Sequence, residues 1–140
     1  MNSDILLRFG SAVVIIFFGL GIYWLFNQRL LSRARENVNS LPFPLPQKPT
    51  IVYFTTPDCA PCKTVQRPAL SKLLTLTDGG VEVIEIDATQ QPDLAQKWGV
   101  MSVPTTFLLD AHGEARYVNN GVTRVEKLME QLQTLSDFEI

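Results

Sequence analysis

The chain has 140 residues, with 12 Lys and Arg against 14 Asp and Glu and a net charge of −2, which allows one domain plus an extension. Residues 50–140 carry seven basic and twelve acidic side chains. Because this part has no basic patch interleaved with aromatic residues, the composition excludes an ordinary nucleic-acid-binding surface.

The N-terminal region is strongly apolar. After a short tail, residues 1–8, no charged residue occurs between residues 9 and 28, and Arg8 and Arg29 bracket this run. A membrane-spanning helix needs roughly 20 such residues. A cleaved signal peptide would have a shorter apolar core and small residues at a cleavage site, and a core helix would not be apolar on all sides. The sequence therefore predicts a single transmembrane helix over residues 9–28.

The arginines that flank the predicted span bear on its orientation. Arg29, Arg33 and Arg35 follow the span, and Arg8 precedes it. Positive charge accumulates on the cytoplasmic side, so this count favours a cytoplasmic C-terminal domain, with an outward-facing domain as the alternative. We expect Arg33 and Arg35 to contact anionic headgroups, which makes the lipid bilayer a partner of this chain.

A juxtamembrane segment and a proline-rich linker are predicted over residues 29–48. Four prolines occur in the ten residues 40–49. Such a segment is extended and semi-rigid, so it is expected either to hold the domain off the bilayer or to lie against the domain's surface.

The globular domain is predicted over residues 49–140. Apolar and β-branched runs predict strands at residues 50–55, 81–86, 105–109 and 115–118. Helical spacing of apolar residues predicts helices after residue 60, around residues 92–98 and after residue 122. The order β-α-β-α-β-β-α indicates an α/β mixed sheet with helices on both faces. Its first two connections imply parallel strands with right-handed crossovers, and its last strand pair is antiparallel.

The only two cysteines, Cys59 and Cys62, lie where the first strand gives way to a helix. A helix start presents unpaired N–H groups and partial positive charge, which favours a nucleophilic thiolate. A zinc site needs four ligands, and the one histidine, His112, is predicted in a distant hairpin turn. A purely structural disulfide is also a weak alternative, because so short a loop contributes little.

With these elements in place, the chain resembles thioredoxin-like proteins from Pro49 to about Leu135. The resemblance is carried by the CxxC motif, by Lys63 directly after it, by Asp87 closing the second strand and by Val103-Pro104-Thr105. It implies the thioredoxin fold, a mixed central sheet flanked by helices, here preceded by the transmembrane helix.

The resemblance also implies a function, a membrane-anchored oxidoreductase that exchanges disulfides with protein substrates. Cys59 would be the exposed attacking thiol and Cys62 the buried resolving thiol. A cis Val103–Pro104 peptide would face the dithiol, with the Val103 backbone pairing with substrate. Implied partners are protein disulfides or dithiols and an upstream redox partner, and no cofactor or metal is implied.

Three positions depart from the family pattern and are expected to tune the site together with Pro61. Asp58 replaces a common tryptophan and would either oppose thiolate formation or cap the helix. Tyr53 replaces a buried aspartate, and Val83 replaces its lysine partner; Glu85, on the same strand face, is a possible substitute acid. These losses support the alternative function of a binding or chaperone-like module with little redox activity.

Overall fold

The architecture comes from a computed structural model that describes residues 2–42, 44 and 47–137. Parts of the predicted tail, linker and domain therefore lie outside the described residues, namely residues 1, 43, 45, 46 and 138–140. In chain order, the elements are helix α1 (Asn2–Asn37), a 3₁₀ turn (Val38–Ser40), strand β1 (Thr50–Thr55), a π-helical turn (Cys62–Gln66) running into helix α2 (Arg67–Thr77), strand β2 (Glu82–Asp87), helix α3 (Pro92–Lys97), strands β3 (Thr105–Leu109) and β4 (Ala115–Asn120), and helix α4 (Val125–Asp137).

The four strands form one mixed sheet in the order β2-β1-β3-β4. Strands β1 and β2 are parallel, as predicted, and β3 and β4 form the predicted antiparallel pair. However, β3 is antiparallel to β1, so the prediction of a second parallel connection is wrong. Helix α3 has six residues and rises only about 9 Å, whereas a strand of this length spans about 17–20 Å. The connection therefore stays at the end of the sheet where β2 finishes.

Helices cover both faces of the sheet, as predicted. On one face, α1 and α3 pack over an aromatic cluster of Phe54, Trp98 and Phe107. Its ring centroids are 4.9–5.9 Å apart in tilted or edge-on arrangements, which favour aromatic pairs. On the other face, α2 and α4 pack over a second cluster that contains Cys59 and Cys62. The two cysteines therefore belong to the packed core on this face of the sheet.

Helix α1 is 36 residues long and contains the predicted span. Its apolar side chains between residues 5 and 26 are exposed, and its most apolar 18-residue window has a mean hydropathy of 2.3 with none of it buried. Within the described part of the chain, this is the one helix long and apolar enough to cross a membrane. A signal sequence near the N-terminus meets the same criterion.

The last turns of α1 belong to the domain rather than to a free juxtamembrane segment. Leu30, Leu31, Ala34 and, beyond the helix, Leu41 are buried in the cluster around Phe54. The predicted boundary at residue 49 thus separates side chains that pack together. The arginines are also placed differently from the expected headgroup contact, because their side chains lie against the domain. The Arg35 Nε donates to the Ala115 carbonyl oxygen at 3.0 Å, and the Arg33 side chain lies beside Gly99.

The β3–β4 hairpin turn is held by the buried carboxylate of Asp110. It accepts hydrogen bonds from the backbone N–H groups of His112 and Glu114 and from the Arg116 Nε, at 2.8–3.0 Å. Burial alone raises the pKa of Asp110, but the hydrogen bonds from Arg116 and the two backbone groups outweigh it, so the pKa lies below its ordinary value.

We expect Asp110→Asn to lower the free energy of unfolding at pH 7 by about 1–2 kcal/mol, because hydrogen bonds to a charged group are lost. A lowered carboxyl pKa gives stability that is full above the unfolded-state value and is lost as the pH falls through the folded-state value. The difference between variant and wild type should therefore shrink as the pH falls below the ordinary carboxyl range, about pH 4. Urea unfolding at several pH values measures it, and exposed Glu130→Gln is the control. Equal losses at pH 7 and pH 2 would contradict the assignment.

Candidate active site

The two cysteines lie at the carboxyl end of β1, where the chain turns into the helix. Strand β1 ends at Thr55, and helical backbone begins at Ala60. The Cys59 N–H donates to the Thr56 carbonyl oxygen at 3.2 Å, closing the turn between them. Cys59 and Cys62 form a disulfide, with their Cα atoms 5.3 Å apart. The predicted strand–helix placement of the dithiol is therefore confirmed.

Cys59 itself caps the helix. Its sulfur accepts the backbone N–H of Cys62 at 3.2 Å, and its carbonyl oxygen accepts the N–H of Lys63 at 3.3 Å. A sulfur in this position faces unpaired N–H groups and the positive end of the helix dipole, both of which stabilise a thiolate. The capping position is thus held by Cys59 rather than by Asp58, whose side chain is exposed.

The two sulfurs differ in access. Cys59 is 8% exposed and Cys62 is 0% exposed. The intervening Pro61 is exposed at the second helical position, where its missing N–H leaves no helical hydrogen bond unmade. Cys59 is therefore the more exposed of the two cysteines, and Cys62 is fully buried in this conformation.

The Val103–Pro104 peptide bond is cis, as the family resemblance implied. It directly precedes β3, whose first residue, Thr105, pairs with Phe54 at the carboxyl end of β1. Val103 packs against the core cluster that contains both cysteines, and the Pro104 carbonyl oxygen accepts the Gly121 N–H at 2.8 Å. The sheet thus brings this peptide to the same end as the dithiol.

Tyr53 is buried beneath the cysteines. Its hydroxyl donates to the Cys62 carbonyl oxygen at 3.5 Å. Burial raises the pKa of the phenol, a hydrogen bond with Thr55 partly lowers it, and the charge of Glu85 raises it again. The phenol is therefore neutral at physiological pH and does not replace a carboxylate as a proton acceptor for Cys62.

Glu85 lies opposite Tyr53 in the β1–β2 register, but its side chain is exposed. It forms an ion pair with Arg67 at the surface. Val83, on the same strand face, packs against the cysteine-containing cluster. The geometry therefore gives the role of substitute buried acid no support, since the Glu85 carboxylate is held by Arg67 in solvent.

Gln66 is a site-supporting residue that the sequence reasoning missed. Its side chain is fully buried one turn beyond Cys62. The Gln66 Nε2 donates to the Thr123 carbonyl oxygen at 3.2 Å, and the Gln66 Oε1 accepts the Thr123 N–H at 2.8 Å. This amide pair ties the helix that carries the dithiol to the loop before α4. The sequence indicates this role only by placing a polar residue on the inner, apolar face of an amphipathic helix.

We expect Gln66→Met to lower the free energy of unfolding by about 2–4 kcal/mol, because both backbone groups of Thr123 lose their partner while buried. Exposed Gln96→Met on α3 is the matched control, with a change below about 0.5 kcal/mol. Chemical denaturation of the two variants measures the difference. A Gln66 variant as stable as the control would show that the pair contributes nothing.

The helix is locally widened at the dithiol. Residues Cys62–Gln66 form a π-helical turn that ends two residues before Pro68. Proline has no N–H to donate to the carbonyl four residues back, so regular α-helical bonding cannot continue through it. The irregular turn therefore lies next to the point where Pro68 interrupts regular α-helical bonding.

Among the described residues, no group of three or more His, Cys, Asp and Glu side chains is placed to hold a metal ion. His112 lies in the hairpin turn between β3 and β4, at the end of the sheet away from Cys59.

Comparison with known proteins identifies the family of this chain. The family model described as Thioredoxin matches residues 35–134. The SPbeta prophage-derived thioredoxin-like protein YosR of Bacillus subtilis (strain 168) is 31% identical over 85 residues, which are 59% of this chain and 98% of YosR. Thioredoxin of Streptomyces clavuligerus is 37% identical over 59 residues, 42% of this chain. The match spans only 53% of that thioredoxin's length.

Solved structures show the same fold. Chloroplastic thioredoxin z superposes with a TM-score of 0.60 at 22% identity, covering 72% of this chain and 85% of its own. StoA from Bacillus subtilis superposes with a TM-score of 0.51 at 20% identity, covering 62% and 84%. At these identities, the structural similarity establishes the fold. The match to the family model, over residues 35–134, shows that the sequence belongs to the same family. The chain belongs to the thioredoxin family.

Proposed function

We propose that this protein is a membrane-anchored thiol–disulfide oxidoreductase that exchanges disulfides with protein substrates through Cys59 and Cys62. The observation that carries the proposal is the arrangement of the two sulfurs. They are bonded to each other, the Cys59 sulfur caps the helix, and Cys59 is the more exposed of the two. This arrangement suits a nucleophile and a resolving thiol.

In the reducing direction, the Cys59 thiolate attacks one sulfur of a substrate disulfide. The Cys59–substrate disulfide forms, and the substrate's other sulfur leaves as a thiolate. The Cys62 thiol then loses its proton and attacks the Cys59 sulfur, which forms the Cys59–Cys62 disulfide and releases the second substrate thiolate. The substrate gains two electrons, and a dithiol partner must return them to this chain. The opposite direction is the same sequence reversed.

The neutral Tyr53 phenol affects the second step. Among the described residues, no carboxylate belongs to the buried cluster around Cys62, and Glu85 is paired with Arg67 in solvent. We therefore propose that the Cys62 proton leaves without a buried carboxylate to accept it, and that resolution accelerates as the pH rises toward the ordinary thiol range. The backbone of Val103, beside the cis peptide, would align an extended substrate segment.

Membrane anchoring rests on helix α1. Its apolar side chains are exposed over a length that suits a bilayer. Its final turns are buried in the domain core, so the helix and the domain are one continuous structure. We propose that the span is retained, because the same helix serves the bilayer at one end and the core at the other.

The proposed function is tested by trapping partners in membranes. Full-length Cys62→Ser should accumulate mixed disulfides through Cys59, seen as thiol-sensitive bands on non-reducing gels. The matched control is the Cys59→Ser/Cys62→Ser double variant, which should trap nothing. If the single variant traps no more than the control, the protein acts as a binding or chaperone-like module.

A further inference from the structure

Helix α1 leaves almost no distance between the bilayer and the domain. The uncharged run ends at Gln28, and Leu30 is already buried in the core. At 1.5 Å per residue, these positions are about 3 Å apart along the helix. The proline-rich segment comes later in the chain, after α1 has docked, and so does not separate the domain from the membrane.

The carboxyl end of α1 lies at the end of the sheet away from the dithiol. The Pro49 carbonyl accepts the N–H of Glu82, at the start of both parallel strands. Leu41 lines a cavity of about 540 Å³ together with His112 and Gly113 of the β3–β4 turn. The Arg35 Nε donates a hydrogen bond to the carbonyl oxygen of Ala115, at the start of β4. All these contacts lie at the end of the sheet where strand β1 begins.

Moving back along α1, the contacts shift toward the dithiol. Leu30 and Arg33 lie against Gly99, where an added Cβ would come within 2.9 Å of Leu30. Gly99 precedes Val103–Pro104 by only four residues. From Leu41 back to Leu30 the chain covers up to about 16 Å, close to the length of β1. The membrane part of α1 therefore extends beyond the domain on the side of the cis peptide and the cysteines.

From this polarity we infer that the dithiol faces the bilayer and that its substrates are disulfides or dithiols of membrane-held proteins, located close to the membrane surface. The inference rests on the proposed function. Met101, between Gly99 and Val103, fits this orientation. It is 83% exposed, the highest value among the described large apolar side chains. In this orientation, the exposed Met101 side chain would contact the bilayer or an apolar segment of a membrane-held protein.

The test measures which position above a bilayer the dithiol reaches. Reduced full-length Cys62→Ser is reconstituted with single-span peptides that carry one disulfide-closed loop. In one peptide the loop lies at the membrane surface, and in the other a helical spacer of about 27 residues holds it about 40 Å away. We expect mixed disulfides to form at least about tenfold faster with the surface loop, because the anchor sets the local concentration.

A matched variant with a flexible Gly/Ser insertion between Gln28 and Arg29 frees the domain and should bring the ratio of the two rates close to one. Equal rates without the insertion, or a preference for the distant loop or for soluble protein disulfides, would overturn the inference. A small soluble aromatic disulfide is assayed in parallel. Reaction with that reagent alone overturns the inference and leaves thiol chemistry intact, whereas no reaction at all refutes the proposed function and the inference with it.

Discussion

A fragment consisting of residues 49–140 will fail to fold, whereas residues 29–140 will fold cooperatively. The shorter fragment lacks Leu30, Leu31, Ala34 and Leu41, which are buried against the aromatic cluster. Burying a large apolar side chain contributes about 1.5–3 kcal/mol, so losing three leucines removes roughly 5–9 kcal/mol. This is comparable with the whole stability of a typical domain, about 5–15 kcal/mol.

Thermal unfolding followed by circular dichroism compares the two fragments. The single variant Leu30→Ala of the longer fragment should still fold but with lower stability, because one large-to-small change in a core costs about 2–5 kcal/mol. Retention of a cooperative transition by residues 49–140, at the temperature of the longer fragment, would contradict the docking of α1.

Replacing each cysteine in turn should give a large asymmetry in single-turnover reactivity. With Cys62→Ser, the remaining Cys59 thiol lies at the helix N-terminus, and this residue is 8% exposed. With Cys59→Ser, the remaining Cys62 is 0% exposed and lies beneath the first helical turn. We expect alkylation or disulfide exchange of the Cys59→Ser variant to be slower by about 100-fold or more, since reactivity follows thiolate character and access.

Iodoacetamide labelling of the two reduced variants, followed by mass spectrometry, measures the two rates at the same pH. Labelling in denaturant is the internal control, because unfolding should bring the rates together. If Cys62 in the folded protein reacted as fast as Cys59, the assignment of attacking and resolving thiols would be wrong.

The direction of β3 shows where sequence reasoning failed. An apolar run, a short helix and a second apolar run predicted a parallel connection. However, the six residues of α3 are too few to carry the chain back along the sheet. A parallel β3 would also have placed Pro104 at the opposite end from Cys59. The CxxC motif and the cis-proline motif could have corrected the strand direction, because a shared site requires them at one end.

The role of residues 29–41 was hidden for a different reason. Their composition is polar and arginine-rich, typical of a juxtamembrane segment. Their few apolar residues, at positions 30, 31, 34, 38 and 41, follow helical spacing, but the strong signal of the adjacent span and of the prolines obscured it. Since Arg33 and Arg35 lie along the domain with their charges at its surface, polarity alone did not distinguish a docked helix from a free one.

At the site, the features that depend on short stretches of sequence could be predicted. The strand–helix position of the dithiol was predicted from sequence, and the order of exposure of Cys59 and Cys62 and the cis peptide were implied by the family resemblance. Contacts between distant parts of the chain were not, and the pair between Gln66 and Thr123 joins residues 57 positions apart. The hydroxyl contact of Tyr53 with Cys62 likewise depends on packing that no pattern in the sequence records.

Disulfide exchange on proteins by Cys59 and Cys62 can be measured as turnover of a protein disulfide. Full-length protein in nanodiscs is supplied with a small dithiol as electron donor, and the reduction of insulin is followed by turbidity. Insulin is a soluble substrate, so it tests the thiol chemistry separately from the position of the dithiol at the membrane. Reduction should be faster than with the dithiol alone, and this acceleration should be lost in the Cys59→Ser variant. A rate equal to that of the dithiol alone, in wild type and variant alike, would contradict disulfide exchange by the two cysteines.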